Sequence, residues 1–319
     1  MYLSLRKVDL SRIGIEIWRV SWPVLALSLV TKLLAFFFAG WRTSLILRPP
    51  AGIGWSRGFK SVLLAFSVNN VAPLRMGELA RADYLARATG LTRTASLGVV
   101  AFERLLDLLS LALIVVPVLA LAAIEIPGRS ALGLYLVLPA LGIAALWWLS
   151  RPSGLAFFRR RGHWLGARLG AAADRRLGDF ERGLRGLESP RRLAGVVLAS
   201  LGFWLMGLAS LRIWIAAFGL ELPWYAPVLL LAYTAFGAAI PSSPGFVGTY
   251  HFFVIAALTR LGVESDTAAS LAVVGHFMAI VPFTLASVPL LLAEYLGRGR
   301  QRAQPTEEAE DGRLTTDRR

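Results

Sequence analysis

The chain contains no cysteine in its 319 residues. This absence excludes a disulfide framework, a thiolate metal site and a cysteine nucleophile. Histidine is almost as scarce, with only His163, His251 and His276, and none of them forms an HxxH or HExxH pattern. A zinc site is therefore not expected. We predict no metal and no cofactor for this chain.

Charged residues are also few, at 17% of the chain, whereas 56% of the residues are hydrophobic. The mean hydropathy is +0.59, and several apolar runs approach the roughly 20 residues that a helix needs to span a bilayer. These runs are continuous rather than alternating, which disfavours a β-barrel. The sequence therefore predicts an all-α polytopic membrane protein, built as a helical bundle.

The charge that is present is strongly positive, with a net value of +14. The arginines lie between the apolar runs, which indicates positive-inside topology and attraction to anionic lipid rather than nucleic-acid binding. Residues 151–192 hold eleven arginines against four acidic residues, so we predict a basic cytoplasmic loop there. The expected location is the cytoplasmic (inner) membrane of a prokaryote.

The predicted organisation is one transmembrane domain over residues 1–296, followed by a disordered charged tail at 297–319. Apolar segments are predicted at 20–41, 59–69, 94–124, 130–149, 193–218, 224–240, 245–261 and 267–296.

Two parts of the chain, 59–93 and 224–261, are each predicted to return to the side of the membrane from which they start. If residues 42–60 and 75–93 both face the cytoplasm, the chain from 59 to 93 must enter and leave on one side. The pair 224–240 and 245–261 has the same property from the opposite side. Two re-entrant or broken helix pairs of opposite orientation are typical of inverted-repeat transporters, so an inverted repeat is a hypothesis here.

The stretch NNVAPLRMGELARADYL, residues 69–85, places polar groups beside the first of these turns. Pro73 suits the first turn of a helix and Asn70 can cap it. A helix N-terminus at this place, with Arg75 nearby, would attract an anion such as phosphate. Glu78 and Arg81 are three residues apart and can pair on one helix face. A purely structural kink is the alternative.

Together with two further groups of residues, this stretch forms a candidate pocket for a lipid phosphate. In AFERLLDLL, Glu103 and Asp107 share a helix face, and they either form a structural ion pair with Arg75 or Arg81 or belong to the pocket. Around PSSPG, Ser243 can cap a helix that has proline at its first position. The full set of pocket candidates is Asn69, Asn70, Pro73, Arg75, Gly77, Glu78, Arg81, Glu103, Arg104, Asp107, Ser243, Pro244, Gly245 and Gly248. No catalytic residue is predicted.

In order, VNNVAPLRMGELARADYL, ERLLDLL and IPSSPGFVGTYHFFVIAALTRLGV resemble the lysylphosphatidylglycerol synthase transmembrane region, a flippase-like family of integral membrane proteins. The resemblance covers about residues 20–296 and implies movement of lipid across the membrane. Family members often carry one more apolar segment at the start and an acidic residue where His251 stands. In the two-part synthases a soluble domain transfers the amino acid. We find no such domain here, so the expectation is that this chain is not an enzyme.

The predicted function is translocation of a phospholipid or lipid-linked intermediate. The alternatives are a non-transporting membrane subunit and an intramembrane transferase that would use Glu78, Glu103 or Asp107 as a base. The expected partners are anionic or lipid-linked membrane lipids and, as a further hypothesis, envelope or lipid biosynthesis enzymes. The sequence predicts neither the lipid nor an oligomeric state.

Because the chain has no cysteine of its own, its topology can be tested with single introduced cysteines. A membrane-impermeant thiol reagent applied from outside should label Glu221→Cys and leave Ser153→Cys unmodified, since the basic loop is predicted to face the cytoplasm. Labelling of Ser153→Cys from outside would overturn the predicted topology.

Overall fold

The computed structural model describes residues 20–47, 52–122, 132–149, 178–179, 183–184, 187, 189–240 and 243–303. Helices account for most of these residues, and no strand occurs among them. In chain order the helices are α1 (Trp22–Ile46), α2 (Trp55–Val71), α3 (Met76–Thr89), α4 (Arg93–Leu121), α5 (Leu132–Leu149), α6 (Pro190–Ala217), α7 (Ala226–Ala239), α8 (Thr249–Arg260) and α9 (Ser265–Ala303).

Within the described residues, four helical segments are long and apolar enough to cross a membrane: α1, α4, α6 and the Ser265–Pro289 part of α9. They contain 25 to 29 residues each, which exceeds the roughly 20 that span the hydrocarbon core. The prediction of an all-α polytopic membrane protein is therefore confirmed.

Helix α1 connects the two largest hydrophobic cores. Near its start, Leu25 packs with buried residues of α6, α7, α8 and α9, among them Ile215 and Leu258. At its end, Ile46 packs with α3 and α4, where Leu85 and Val99 are completely buried. Because α6 runs alongside α1, this helix pair is the framework on which both ends of the molecule assemble.

The short helices form two hairpins. Helices α2 and α3 pack together around the first turn, residues 72–75, and α7 packs with α8 around the second turn, residues 243–248. The hairpins lie where re-entrant pairs were predicted, but α2 begins at Trp55 and α8 only at Thr249. Re-entry into the membrane and the inverted repeat remain predictions.

The predicted basic loop and charged tail are only partly included in the described residues. Most of residues 151–189 lie outside the described residues, and α6 begins at Pro190, within the predicted loop. Helix α9 continues to Ala303, seven residues into the segment predicted as a tail. Residues 304–319 lie outside the described residues.

Helices α1 and α2 cross at a pair of glycines. A Cβ placed on Gly58 would lie 2.2 Å from the carbonyl oxygen of Gly40, and one on Gly40 would lie 2.4 Å from the amide nitrogen of Phe59. Real Cβ atoms cannot approach backbone this closely, so both positions require glycine. The close crossing brings α2 against the part of α1 that carries Arg42.

We predict that Gly58→Ala destabilises the protein by about 1–3 kcal/mol, because the methyl group forces the two backbones apart. Gly207→Ala in α6 is the matched control, since nothing lies within 4 Å of a Cβ there; it should have no effect or stabilise slightly. Thermal unfolding in detergent measures both variants. Equal melting temperatures for the two would contradict the inferred contact.

Candidate functional site

The acidic residues of the candidate site lie on one face of α4. Glu103 and Asp107 are one helical turn apart, and Glu103 is completely buried. An ionised carboxylate in an apolar interior is costly unless cations and hydrogen-bond donors surround it. The neighbouring helices α1 and α3 provide most of those groups, and α4 itself adds Arg104.

Arg42 of α1 is the partner of Asp107. Its Nη1 lies 2.6 Å from Oδ1 and its Nη2 3.3 Å from Oδ2, a two-point contact, and Nη1 also reaches the hydroxyl of Ser200 at 3.4 Å. The first apolar segment was predicted to end at residue 41, just before Arg42, and that was wrong. Helix α1 continues to Ile46, so Arg42 lies inside it and is 1% exposed.

Arg81 of α3 is the partner of Glu103. Its Nη2 lies 2.5 Å from Oε2 and donates to the hydroxyl of Thr43 at 2.7 Å, while Nε donates to Ser61 at 3.3 Å. Thr43 in turn donates to Glu103 Oε1 at 2.8 Å. Of the pairings predicted for Glu103 and Asp107, the one that joins Arg81 to Glu103 is confirmed.

Glu78 does not pair with Arg81, in contrast to the sequence-based interpretation. Arg81 points into the bundle towards α4, whereas Glu78 Oε1 lies 3.7 Å from Arg104 Nη1. Arg104 also reaches Asp107 Oδ2 at 3.1 Å and is 44% exposed. Spacing along α3 made the predicted pair geometrically possible, but the carboxylates of α4 determined which partners formed.

These contacts join six charged side chains into one ion cluster: Arg42, Glu78, Arg81, Glu103, Arg104 and Asp107. Three arginines balance three carboxylates, so the cluster has no formal net charge. Arg42, Arg81 and Glu103 form its buried part, while Arg104 and Glu78 lie towards the surface. The Oε2 atom of Glu78 is nevertheless buried and has no hydrogen-bond partner.

The first turn adjoins this cluster, but its geometry differs from the prediction. Helix α3 begins at Met76 rather than near Pro73, which is exposed in the turn. The capping side chain is Asn69 at the end of α2, whose Oδ1 accepts the Gly77 N–H at 2.8 Å. Gly77 must be small, because a Cβ there would lie 2.0 Å from the Ala65 carbonyl oxygen.

Asn70 has a different partner from the one predicted. Its Nδ2 donates to the Thr284 hydroxyl in α9 at 2.9 Å. One turn earlier in α2, Ser67 donates to Ser287 at 2.6 Å. These bonds attach the first hairpin to α9.

Arg75 is not part of the ion cluster. It precedes α3 with a positive φ of 55°, next to Leu74 at 57°, and such backbone is strained for residues other than glycine. Its guanidinium donates to the carbonyl of Ala238 at the end of α7 and lies 5.8 Å from the ring centre of Phe246. Arg75 therefore connects the first hairpin to the second.

The second turn is held by its own hydrogen bonds. Ser243 precedes a single 3-10 turn, Pro244–Phe246, and its hydroxyl donates to the Val247 carbonyl at 2.8 Å. The prediction that Ser243 caps the following helix was wrong, because α8 begins only at Thr249 with Gly248 as its N-cap.

The two turns meet, although about 170 residues separate them in sequence. A Cβ on Gly245 would lie 3.2 Å from the Asn70 carbonyl oxygen, and Arg75 reaches both Ala238 and Phe246. We call this contact the junction. It brings the candidate residues of the two motifs together, with the ion cluster one helical turn beyond Arg75.

A family model described as the lysylphosphatidylglycerol synthase transmembrane region matches residues 1–287. The chain belongs to this family, and the resemblance noted from the motifs is confirmed. No curated protein and no solved structure matches the chain. The family and the apolar helices together identify a multi-pass membrane protein in lipid-related biosynthesis or transport.

The family description also corrects one expectation. The chain was predicted not to be an enzyme, but the family is named after a synthase, so it is associated with enzymes. The matched region is the transmembrane part of such proteins.

The pairing inside the ion cluster can be tested with double-mutant cycles. We predict that Glu103→Gln or Arg81→Met alone costs about 3–5 kcal/mol of stability, because each leaves a buried charge without its partner. The double variant should be much less destabilised than the sum of the two. In the matched cycle of Glu78→Gln and Arg81→Met, the losses of stability of the two single variants should add up to nearly that of the double variant. Unfolding in detergent measures all variants, and stronger coupling of Arg81 to Glu78 than to Glu103 would contradict the structure.

Proposed function

We propose that this member of the lysylphosphatidylglycerol synthase transmembrane-region family moves an anionic phospholipid, or a lipid-linked intermediate, across a prokaryotic cytoplasmic membrane. One observation carries the proposal. Polar groups lead from the exposed Arg75 at the junction, through Glu78 and Arg104, to the buried pair of Asp107 and Arg42.

The position of this polar path favours transport over a purely structural role. Asp107 and Glu103 lie near the middle of α4, a candidate membrane span of 29 residues. Ionisable groups at membrane depth are costly and mark substrate or ion pathways by default. A scaffold that needed only stability could replace such pairs with apolar residues at little or no cost.

The charges also fit the chemistry of a phospholipid headgroup. A phosphate must cross roughly 30 Å of hydrocarbon, and arginine is the side chain best suited to bind it. Arg75 and Arg104 are the exposed arginines beside the first turn of α3.

A transferase that acts inside the membrane is the second candidate, because the family is named after a synthase. One residue of the ion cluster suits the role of its base best. Arginine nitrogens lie 2.5 Å from Glu103 and 2.6 Å from Asp107, whereas the arginine that pairs with Glu78 is 3.7 Å away. A transferase would therefore use Glu78.

Reconstituted vesicles test the proposal. Purified protein is incorporated into liposomes that contain fluorescently labelled phosphatidylglycerol, and a membrane-impermeant quencher reports how much label reaches the outer leaflet. We expect the protein to accelerate this exchange. Arg75→Gln and Arg104→Gln should each slow it about tenfold or more, because each removes a charged hydrogen-bond donor for the phosphate.

Arg87→Gln is the matched control. Arg87 is 47% exposed and pairs with Asp83 on the surface of α3, away from the ion cluster, so its loss should leave exchange unchanged. If folded Arg75→Gln and Arg104→Gln variants exchange lipid at the native rate, the proposed path is wrong. If the native protein does not exchange lipid but converts a lipid substrate in a Glu78-dependent manner, the transferase is correct.

A further inference from the structure

Two histidines form hydrogen bonds to the backbone of the second turn. His251, in the first turn of α8, accepts the Gly248 N–H on Nδ1 at 3.3 Å. His276 of α9 uses Nε2 to donate to the Gly245 carbonyl at 2.7 Å. Both rings are buried, and their centres are 4.6 Å apart in a perpendicular arrangement. Neither histidine contacts the ion cluster.

The turn needs this support because its backbone is unusual. Gly245, Phe246 and Gly248 have φ values of 66°, 58° and 94°, and this region is unfavourable for Phe246 in particular. The same residues form the junction, since Gly245 adjoins Asn70 and Phe246 lies beneath Arg75. The two histidine bonds therefore position the surface that Arg75 contacts.

Only the neutral form of His251 can make its bond. The Nδ1 atom accepts through a lone pair, and protonation replaces that lone pair with a second N–H that faces the Gly248 N–H. The bond of His276 differs, because Nε2 donates in the neutral and the protonated ring alike. Acidification of this turn therefore removes the hydrogen-bond acceptor of His251 and leaves the hydrogen-bond donor of His276 in place.

The surroundings of His251 contain no carboxylate among the described contacts. The titratable groups that face its ring are His276 from α9 and Tyr250 from its own helix, with ring centres at 4.6 and 6.0 Å. Helix α7, which packs against α8, carries Tyr233 as its only titratable side chain. A proton on His251 would meet no compensating negative charge from these groups.

We propose that His251 is a positioning residue that orders the second turn only while it is neutral, so that protonation of His251 loosens the junction and stops lipid movement. The functional half of this inference rests on the proposed transport. The structural half, a pH-dependent order of residues 243–248, does not depend on it.

A spin label on Val247→Cys tests the structural half, because Val247 is exposed and the native chain has no cysteine. We expect the label to be immobile near neutral pH and to become mobile on acidification from about pH 7.5 to about pH 4. Asparagine carries an acceptor oxygen where histidine has Nδ1 and does not titrate, so His251→Asn should stay immobile throughout. His251→Leu, which lacks the acceptor, should be mobile even near neutral pH.

Lipid exchange in the same vesicles, with equal pH on both sides, tests the functional half. Native exchange should fall at least about twofold between about pH 7.5 and about pH 4, because burial lowers the pKa of His251 to about 4 and about half of the rings are then protonated, and His251→Asn should keep its rate. His163→Asn is the histidine control and should behave as the native protein does.

Several outcomes would overturn the inference. Label mobility that is independent of pH, or that changes in the native protein and His251→Asn alike, shows that His251 does not control the turn. The same conclusion follows if His163→Asn keeps its exchange rate on acidification. If no variant exchanges lipid but the label responds as expected, the proposed transport fails while the role of His251 in ordering the turn stands.

Discussion

A guanidinium among apolar helices must find a carboxylate, and the contact of Arg42 with Asp107 at 2.6 Å is the constraint on which this structure depends. Arg42 is 1% exposed, and removal of either partner would strand a charge where no water can solvate it. The contact fixes the rotation of α1 relative to α4. It also fixes which face of α4 looks inward, and thus where Glu103 and Arg104 point.

The other arrangements follow from that orientation. Arg81 can reach Glu103 only because α2 approaches α1 closely at Gly40 and Gly58 and so carries the first hairpin into place. The hairpin then presents Arg75 to the second hairpin. The junction and the ion cluster are thus connected by one short helix, α3.

Particular residues show how far sequence reasoning reached. It identified Glu103 and Asp107 as one helix face, because spacing on a helix sets which side chains share a side, and it offered Arg75 or Arg81 as a partner, of which the structure selects Arg81. It mispaired Glu78, since several cations competed for the same carboxylates. It missed Arg42 as a site residue, although the apolar SLIL that follows soon after shows that the helix continues past the arginine. It named His251 only as a departure from the family pattern, without its bond to Gly248.

The sequence by itself determined that this protein lies in a membrane and that its segments are helices. Apolar runs of membrane length, arginines between them and three ordered motifs specify helices in a lipid-facing chain, because hydrophobicity and helical period act over neighbouring residues. The tertiary structure alone decided the partners. That Arg42 binds Asp107, that Asn69 rather than Asn70 caps α3, and that the turns at Arg75 and Gly245 meet all depend on contacts between segments far apart in the chain. Such contacts are selected by the packing of whole helices, which no local pattern encodes.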